Sequence, residues 1–121
     1  MPSILLVEDD DQLRNSLQLM LTTLGHEVWA TSNGKDVGDM YEQRQPDLVI
    51  TDLLMPERDG LEVIIDLRRR DRNLRIIAMS EPEPKAYLQL AKTLGAQHTL
   101  SKPFSGEEFS EAVRWVLEHD A

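Results

Sequence analysis

Five short apolar runs, separated by longer stretches of helical periodicity, constrain this chain more tightly than any other feature of its sequence. The first run, Ser3–Val7, follows Pro2 and is continuously apolar, as expected of a strand buried on both faces. Glu27–Thr31 reads as a second strand and Leu48–Thr51, introduced by Pro46, as a third. Arg75–Ser80 supplies a fourth, and a short fifth lies around Gln97–Leu100. Between them, Leu13, Leu17, Met20, Leu21 and Leu24 recur at helical spacing until Gly25, which can adopt a left-handed cap. A turn at Asn33–Gly34 precedes a weaker helix with Val37, Met40 and Tyr41. Leu61, Ile64 and Ile65 share a face of the third helix. Tyr87, Leu90, Ala91 and Leu94 mark the fourth, stopped by Gly95. Ser105 and Glu108 form a capping box for the last, whose apolar face is Phe109, Ala112, Val113, Val116 and Leu117.

Strict β-α alternation with buried-type strands predicts an α/β sandwich, a parallel sheet with helices on both faces. The 121 residues suit one domain, expected to span 1–121 because the chain stops just after the last helix. No repeat or low-complexity segment interrupts it. Hydrophobic residues make up 40% of the sequence, enough for a core. There is no cysteine, which excludes disulfides, thiolate chemistry and Cys-ligated metal sites. No apolar run is long enough to cross a bilayer and no secretory signal is visible, so a soluble cytoplasmic domain is expected. The formal net charge of −9 argues against a nucleic-acid or anionic-membrane surface. The same surplus suits a divalent cation.

In parallel sheets of this kind ligands bind beyond the carboxyl ends of the strands. Glu8, Asp9, Asp10 and Asp11 follow the first strand, Asp52 ends the third, Ser80 ends the fourth and Lys102 follows the fifth. Crowded carboxylates repel unless a cation cancels their charge, and Mg²⁺ prefers oxygen ligands. Beside such a metal, one carboxylate can become a nucleophile toward phosphorus, with a lysine neutralising the phosphoryl oxygens and a hydroxyl sensing the product.

These residues fall in segments that carry a family resemblance along essentially the whole chain. ILLVEDD (4–10), TDLLMPERDG (51–60), IIAMS (76–80) and SKPF (101–104) resemble the first strand, phosphoacceptor segment, switch strand and lysine–proline turn of the bacterial two-component response-regulator receiver domain. In the second segment Met55, Pro56, Asp59 and Gly60 follow Asp52 at the family's distances. The resemblance implies a flavodoxin-like (βα)5 fold, with five helices flanking a five-stranded sheet of order 2-1-3-4-5. It also implies that Asp52 accepts a phosphoryl group from a histidine kinase's phosphohistidine. Asp9 and Asp52 would bind Mg²⁺ directly, Glu8 through water and Leu54 through its backbone carbonyl, with Mn²⁺ able to substitute. Lys102 would pair with the phosphoryl group, Ser80 would swing toward it, and Lys102–Pro103 is expected to be cis. The implied partners are a sensor histidine kinase or phosphotransfer protein, and a downstream protein docking on the fourth helix, fifth strand and last helix. The chain would catalyse only its own phosphorylation and dephosphorylation, and is not otherwise an enzyme.

Other residues take plainer readings. Asp10 or Asp11 caps the first helix. Asp59–Gly60 forms a turn ahead of the third. Arg68, Arg69, Arg70, Arg72 and Arg75 form a solvated helix end, and His26, His98 and His119 show no metal spacing. Trp29 and Trp115 are expected to pack, with Trp115 the one that could face a partner. Three departures from the family pattern bear on readout. Thr99 stands where the family usually has an aromatic switch residue, Glu81 follows Ser80 where a small residue is common, and Glu81–Pro82–Glu83–Pro84 stiffens the entry to the fourth helix. The competing functions are a phosphorylation-independent pseudo-receiver, the receiver part of a longer regulator, and an aspartyl-phosphate phosphatase. The phosphatase would need a second Asp where Leu54 stands. A flavin carrier is excluded because the acids after the first strand would repel the cofactor's phosphate.

Overall fold

The sheet begins with β1 (Ser3–Val7), four of whose five residues are buried, as the continuous apolar run requires. The structure, a computed structural model, describes residues 1–55, 59–82 and 85–119. Pro56, Glu83 and Pro84 of the expected motifs, and Ala121, lie outside those residues. The remaining strands are β2 (Glu27–Thr31), β3 (Leu48–Asp52), β4 (Arg75–Ser80) and β5 (His98–Ser101). All pair in parallel in the order β2-β1-β3-β4-β5. The order reverses between β1 and β3, so the crevice where such sheets bind ligands opens at the ends of those two strands.

Helices α1 (Asp11–Thr23) and α5 (Gly106–Glu118) cover one face; α2 (Val37–Arg44), α3 (Gly60–Arg70) and α4 (Lys85–Leu94) cover the other. Under α1 and α5 lie Ile4, Leu6, Ile50, Ile77 and Phe109. The opposite core holds Leu5, Val49, Ile64, Leu67 and Ile76. Alternate residues of the strands therefore feed opposite cores, which is why the central strands β1, β3 and β4 are buried along nearly their whole length. Among the described residues no helix is long and apolar enough to cross a membrane.

Local signals explain the helix ends. Asp10 caps α1, accepting from the N–H of Gln12 at 2.9 Å and of Leu13 at 3.2 Å. Asp59 caps α3 by accepting from the Leu61 N–H, and the Ser105–Glu108 capping box of α5 is complete. Gly25 and Gly95 take the positive φ expected of C-terminal caps. Lys102–Pro103 is cis.

Four expectations need correction. Asn33–Gly34 is not a simple turn: Asn33 caps a short 3-10 helix, Gly34–Asp36, which leads into α2. The buried face of α3 is Val63, Ile64 and Leu67, with Leu61 and Ile65 only partly covered. Leu24 and Leu90 share the helical spacing of their neighbours but are exposed, because spacing defines a stripe and only packing decides how wide it is.

The arginine run, finally, is not simply a solvated end. Arg69 and Arg72 are exposed, and Arg70 pairs with Glu42 and Asp66 at the surface. Arg68 folds back, donating to the carbonyls of Asp71 (3.0 Å), Arg72 (3.1 Å) and Gly95 (2.7 Å). Gln97 completes this clasp by accepting from the Ile76 N–H and donating to the Leu74 carbonyl. The pair joins the loop before β4 to the loop before β5. Arg68→Ala leaves three carbonyls without their charged donor and is expected to cost about 2 kcal/mol in urea unfolding.

Candidate functional site

Charge is concentrated where β1 and β3 end. Glu8, directly after β1, and Asp52, the last residue of β3, are both buried, while Asp9 is more open. One carboxylate oxygen from each of these three residues lies within 4.8 Å of the other two. Backbone geometry holds the acids in place. The Asp10 N–H donates to Glu8 Oε2 at 3.0 Å, and the Leu54 N–H donates to Asp52 Oδ1 at 3.1 Å. The Glu8 carbonyl accepts from Arg14 Nη1 at 2.9 Å.

Lys102 enters from the turn after β5, and its Nζ lies 2.8 Å from both Glu8 Oε1 and Asp52 Oδ2. A single ammonium thus bridges two buried carboxylates, and Asp9 adds a third acid. Burial pushes the Glu8 carboxyl up to about 7 and the Asp52 charge adds to this, against the lowering pull of Lys102 and the Asp10 N–H. Burial would lower Lys102, but its hydrogen bonds to Asp52 and Glu8 outweigh that and raise it. Burial is thus the main reason that Glu8 is hard to ionise, whereas Lys102 is held charged by its two acidic partners. An all-oxygen set of three acids against one ammonium fits a hard divalent cation. Leu54 sits two residues past Asp52, at the lip of the cluster.

Ser80 ends β4 beside this group. Its hydroxyl is buried and has no hydrogen-bond partner among the described residues, while its carbonyl accepts from the Lys102 N–H at 2.7 Å. A buried hydroxyl gains from any partner that reaches it, and an oxygen of a ligand at the acid cluster would be one. Glu81 is exposed and lines a shallow cleft of about 410 Å³ with Asp10, Lys102 and Phe104, at the mouth of the site. Thr99 is partly buried in β5 opposite Ala78.

All five side chains expected to carry chemistry, Glu8, Asp9, Asp52, Ser80 and Lys102, therefore stand at the carboxyl ends of the strands. One supporting residue escaped the sequence reading, and another was read there only as part of a turn and of the family pattern. Arg14 lies one turn into α1 and anchors the Glu8 backbone, a role that no local pattern announces. Gly60 starts α3, where a Cβ would fall 2.4 Å from the Asp52 carbonyl oxygen and 2.5 Å from Leu53 Cα. Only glycine lets α3 approach the acceptor strand so closely.

The raised Glu8 value makes a signed prediction. A carboxyl that is harder to ionise when folded than when unfolded costs stability as pH rises through the interval between the two values. Without added metal, Glu8→Gln should gain stability relative to wild type between pH 5 and pH 8, by about 3 kcal/mol at most, in parallel thermal melts. An offset that does not change with pH would contradict the assignment.

Comparison with known proteins agrees with this geometry. Residues 4–114 match the family described as the response regulator receiver domain. The transcriptional regulatory protein AfsQ1 of Streptomyces coelicolor is 36% identical over 117 residues, covering 97% of this chain and 52% of that protein. Sporulation initiation phosphotransferase F of Bacillus subtilis is 32% identical over 114 residues, covering 94% of this chain and 92% of its own. The chain thus spans about half of one relative and nearly all of another. A solved receiver domain of a Pseudomonas aeruginosa sensor histidine kinase, holding magnesium in its active-site cleft, shares the fold with a TM-score of 0.88. It is 24% identical, and the match covers 98% of each chain. Fold, acidic cluster and family match lead to one conclusion: this chain belongs to the response regulator receiver domain family of two-component systems.

Proposed function

We propose that the chain is a phosphoacceptor switch in which Asp52 takes a phosphoryl group from the phosphohistidine of a sensor histidine kinase or phosphotransfer protein. The observation that carries this reading is the Lys102 ammonium, 2.8 Å from both Asp52 and Glu8 at the switch point of the sheet. An Asp52 oxygen forms the new bond to phosphorus as the phosphorus–nitrogen bond breaks, and the departing imidazole nitrogen keeps the electron pair. Lys102 is placed to draw charge from the phosphoryl oxygens. The Ser80 hydroxyl gains the acceptor that it lacks, and its movement reports the modification. Mg²⁺, or Mn²⁺ in its place, held by Asp9 and Asp52, by Glu8 through water and by the Leu54 carbonyl, would supply the remaining neutralisation of those oxygens.

Beyond this self-modification and its reversal the chain turns over no substrate. Its output is a changed affinity for a partner on the face formed by α4, β5 and α5, and we assign the exchange to the cytoplasm. Family members of about twice this length and of nearly the same length share the domain, so the proposal concerns the receiver itself. Thr99 carries no ring to swing between buried and exposed positions, so coupling from Ser80 to the output face must run through other groups.

The test is intact mass after incubation with acetyl phosphate. One phosphoryl adduct is expected with Mg²⁺, and none with EDTA or in Asp52→Ala. Lys102→Ala should slow the adduct's formation at least tenfold. Absence of both the adduct and a Mg²⁺–beryllofluoride complex would leave a phosphorylation-independent binding module as the better reading.

A further inference from the structure

The outer side of α5 carries the most unusual exposed group of the described residues. Trp115 is 48% exposed, far more than a packing residue would be. Its indole is not loose. His119 stacks on it with ring centroids 4.3 Å apart and planes 16° apart, while His98 of β5 lies 6.1 Å away. His119 is itself held, its Nδ1 donating to the Trp115 carbonyl at 2.7 Å. A large aromatic surface is therefore presented to solvent in a fixed orientation, with little side-chain freedom left to lose on binding.

The same indole lines a cleft of about 420 Å³ together with His98, Glu111, Ala112, Arg114 and Glu118. Neither Glu111 nor Glu118 forms an ion pair among the described residues, so both carboxylates line the cleft unpaired, with Arg114 in its wall and Lys92 near His98. Burial, with the neighbouring Lys92 charge, lowers His98, which disfavours a further positive charge on its ring. A half-exposed indole flanked by unpaired carboxylates is complementary to a planar cation. Guanidinium meets both requirements, stacking on an aromatic face while donating to carboxylates in a fixed fork. Ammonium offers no flat face to stack. Aromatic and arginine residues are also the groups that most often anchor protein interfaces.

We propose that the Trp115 cleft is a docking site for a protein segment that presents an arginine, seated on the indole between Glu111 and Glu118. This deepens, and rests on, the reading of α4, β5 and α5 as the output face. It also gives that face a recognition element independent of residue 99. An acidic chain with net charge −9 adds long-range attraction for such a partner.

The test uses the intact chain and a labelled helical peptide with two arginines one turn apart on a leucine face, together with its citrulline twin. Fluorescence anisotropy should show saturable binding of the arginine peptide, weakened by added salt, and little binding of the twin. Trp115→Ala should weaken it about fivefold or more. Glu111→Gln with Glu118→Gln should weaken it and flatten the salt dependence. All three positions are at the surface, and circular dichroism checks that the variants remain folded. Equal binding of the two peptides, unchanged affinity in Trp115→Ala, or no saturable binding would overturn the proposal. Repeating the titration with Mg²⁺ and beryllofluoride separates the two readings. Arginine-dependent binding that does not respond to beryllofluoride keeps the cleft and removes its role as a phosphorylation-controlled output. A phosphoryl adduct on Asp52 without peptide binding does the reverse.

Discussion

Like-charge crowding at the ends of β1 and β3 is the constraint around which the rest of the molecule is arranged. Buried Glu8 and Asp52 could not both carry charge so close together in a low-dielectric crevice without a cation between them, and Lys102 supplies it from the far end of the chain. That contact spans 94 residues in sequence from Glu8 and 50 from Asp52. It depends on β5 ending at the same rim as β1 and β3, and on the turn at Lys102–Pro103 aiming the side chain inward. One ammonium is still too little for three acids. Burial, with the Asp52 charge adding to it, pushes Glu8 up to about 7, and a divalent ion, or a phosphoryl group arriving with one, would offset the excess of acids.

Packing supports this arrangement from behind. Gly60 lets α3 press against the backbone of Asp52 and Leu53, so a change at the acceptor meets a helix with no slack. Ser80 shares its strand with Ile76, Ile77 and Met79, which fill both cores, and its buried hydroxyl has no partner among the described residues. Rigid walls around one unsatisfied group are what a switch needs: the core resists small displacements, so modification selects between discrete arrangements. Arg68 and Gln97 do comparable work at the opposite end of the sheet, where they tie together the loops that feed β4 and β5.

Much of this was legible in the sequence, for physical reasons that can be named residue by residue. Continuous apolar runs such as Ile4–Val7 and Leu48–Ile50 suit strands covered on both faces, and their alternation with amphipathic helices pointed to a parallel sheet with helices on either side. Ser105 with Glu108, Asp59 before Gly60, and Gly25 and Gly95 set helix ends through short-range hydrogen bonds and φ preferences that act within a few residues. The acids after β1, the acid ending β3 and the lysine after β5 declared the site, because parallel topology sends every strand end to one rim.

What the sequence could not determine is whatever depends on groups meeting across the fold. Arg68 looked like the other cations of its run until the loops around Gly95 and Gln97 closed over it. Trp115 lies off the apolar face of the last helix and stacks on His119 four residues on, but only packing of α5 against β5 brought His98 near it as well. The bridging position of Lys102, the buried isolation of the Ser80 hydroxyl and the raised Glu8 carboxyl are likewise tertiary facts. Each is set by distance and desolvation between segments far apart in the chain. Local preference specifies which elements form, and only their closure decides which charges must share a space that water has left.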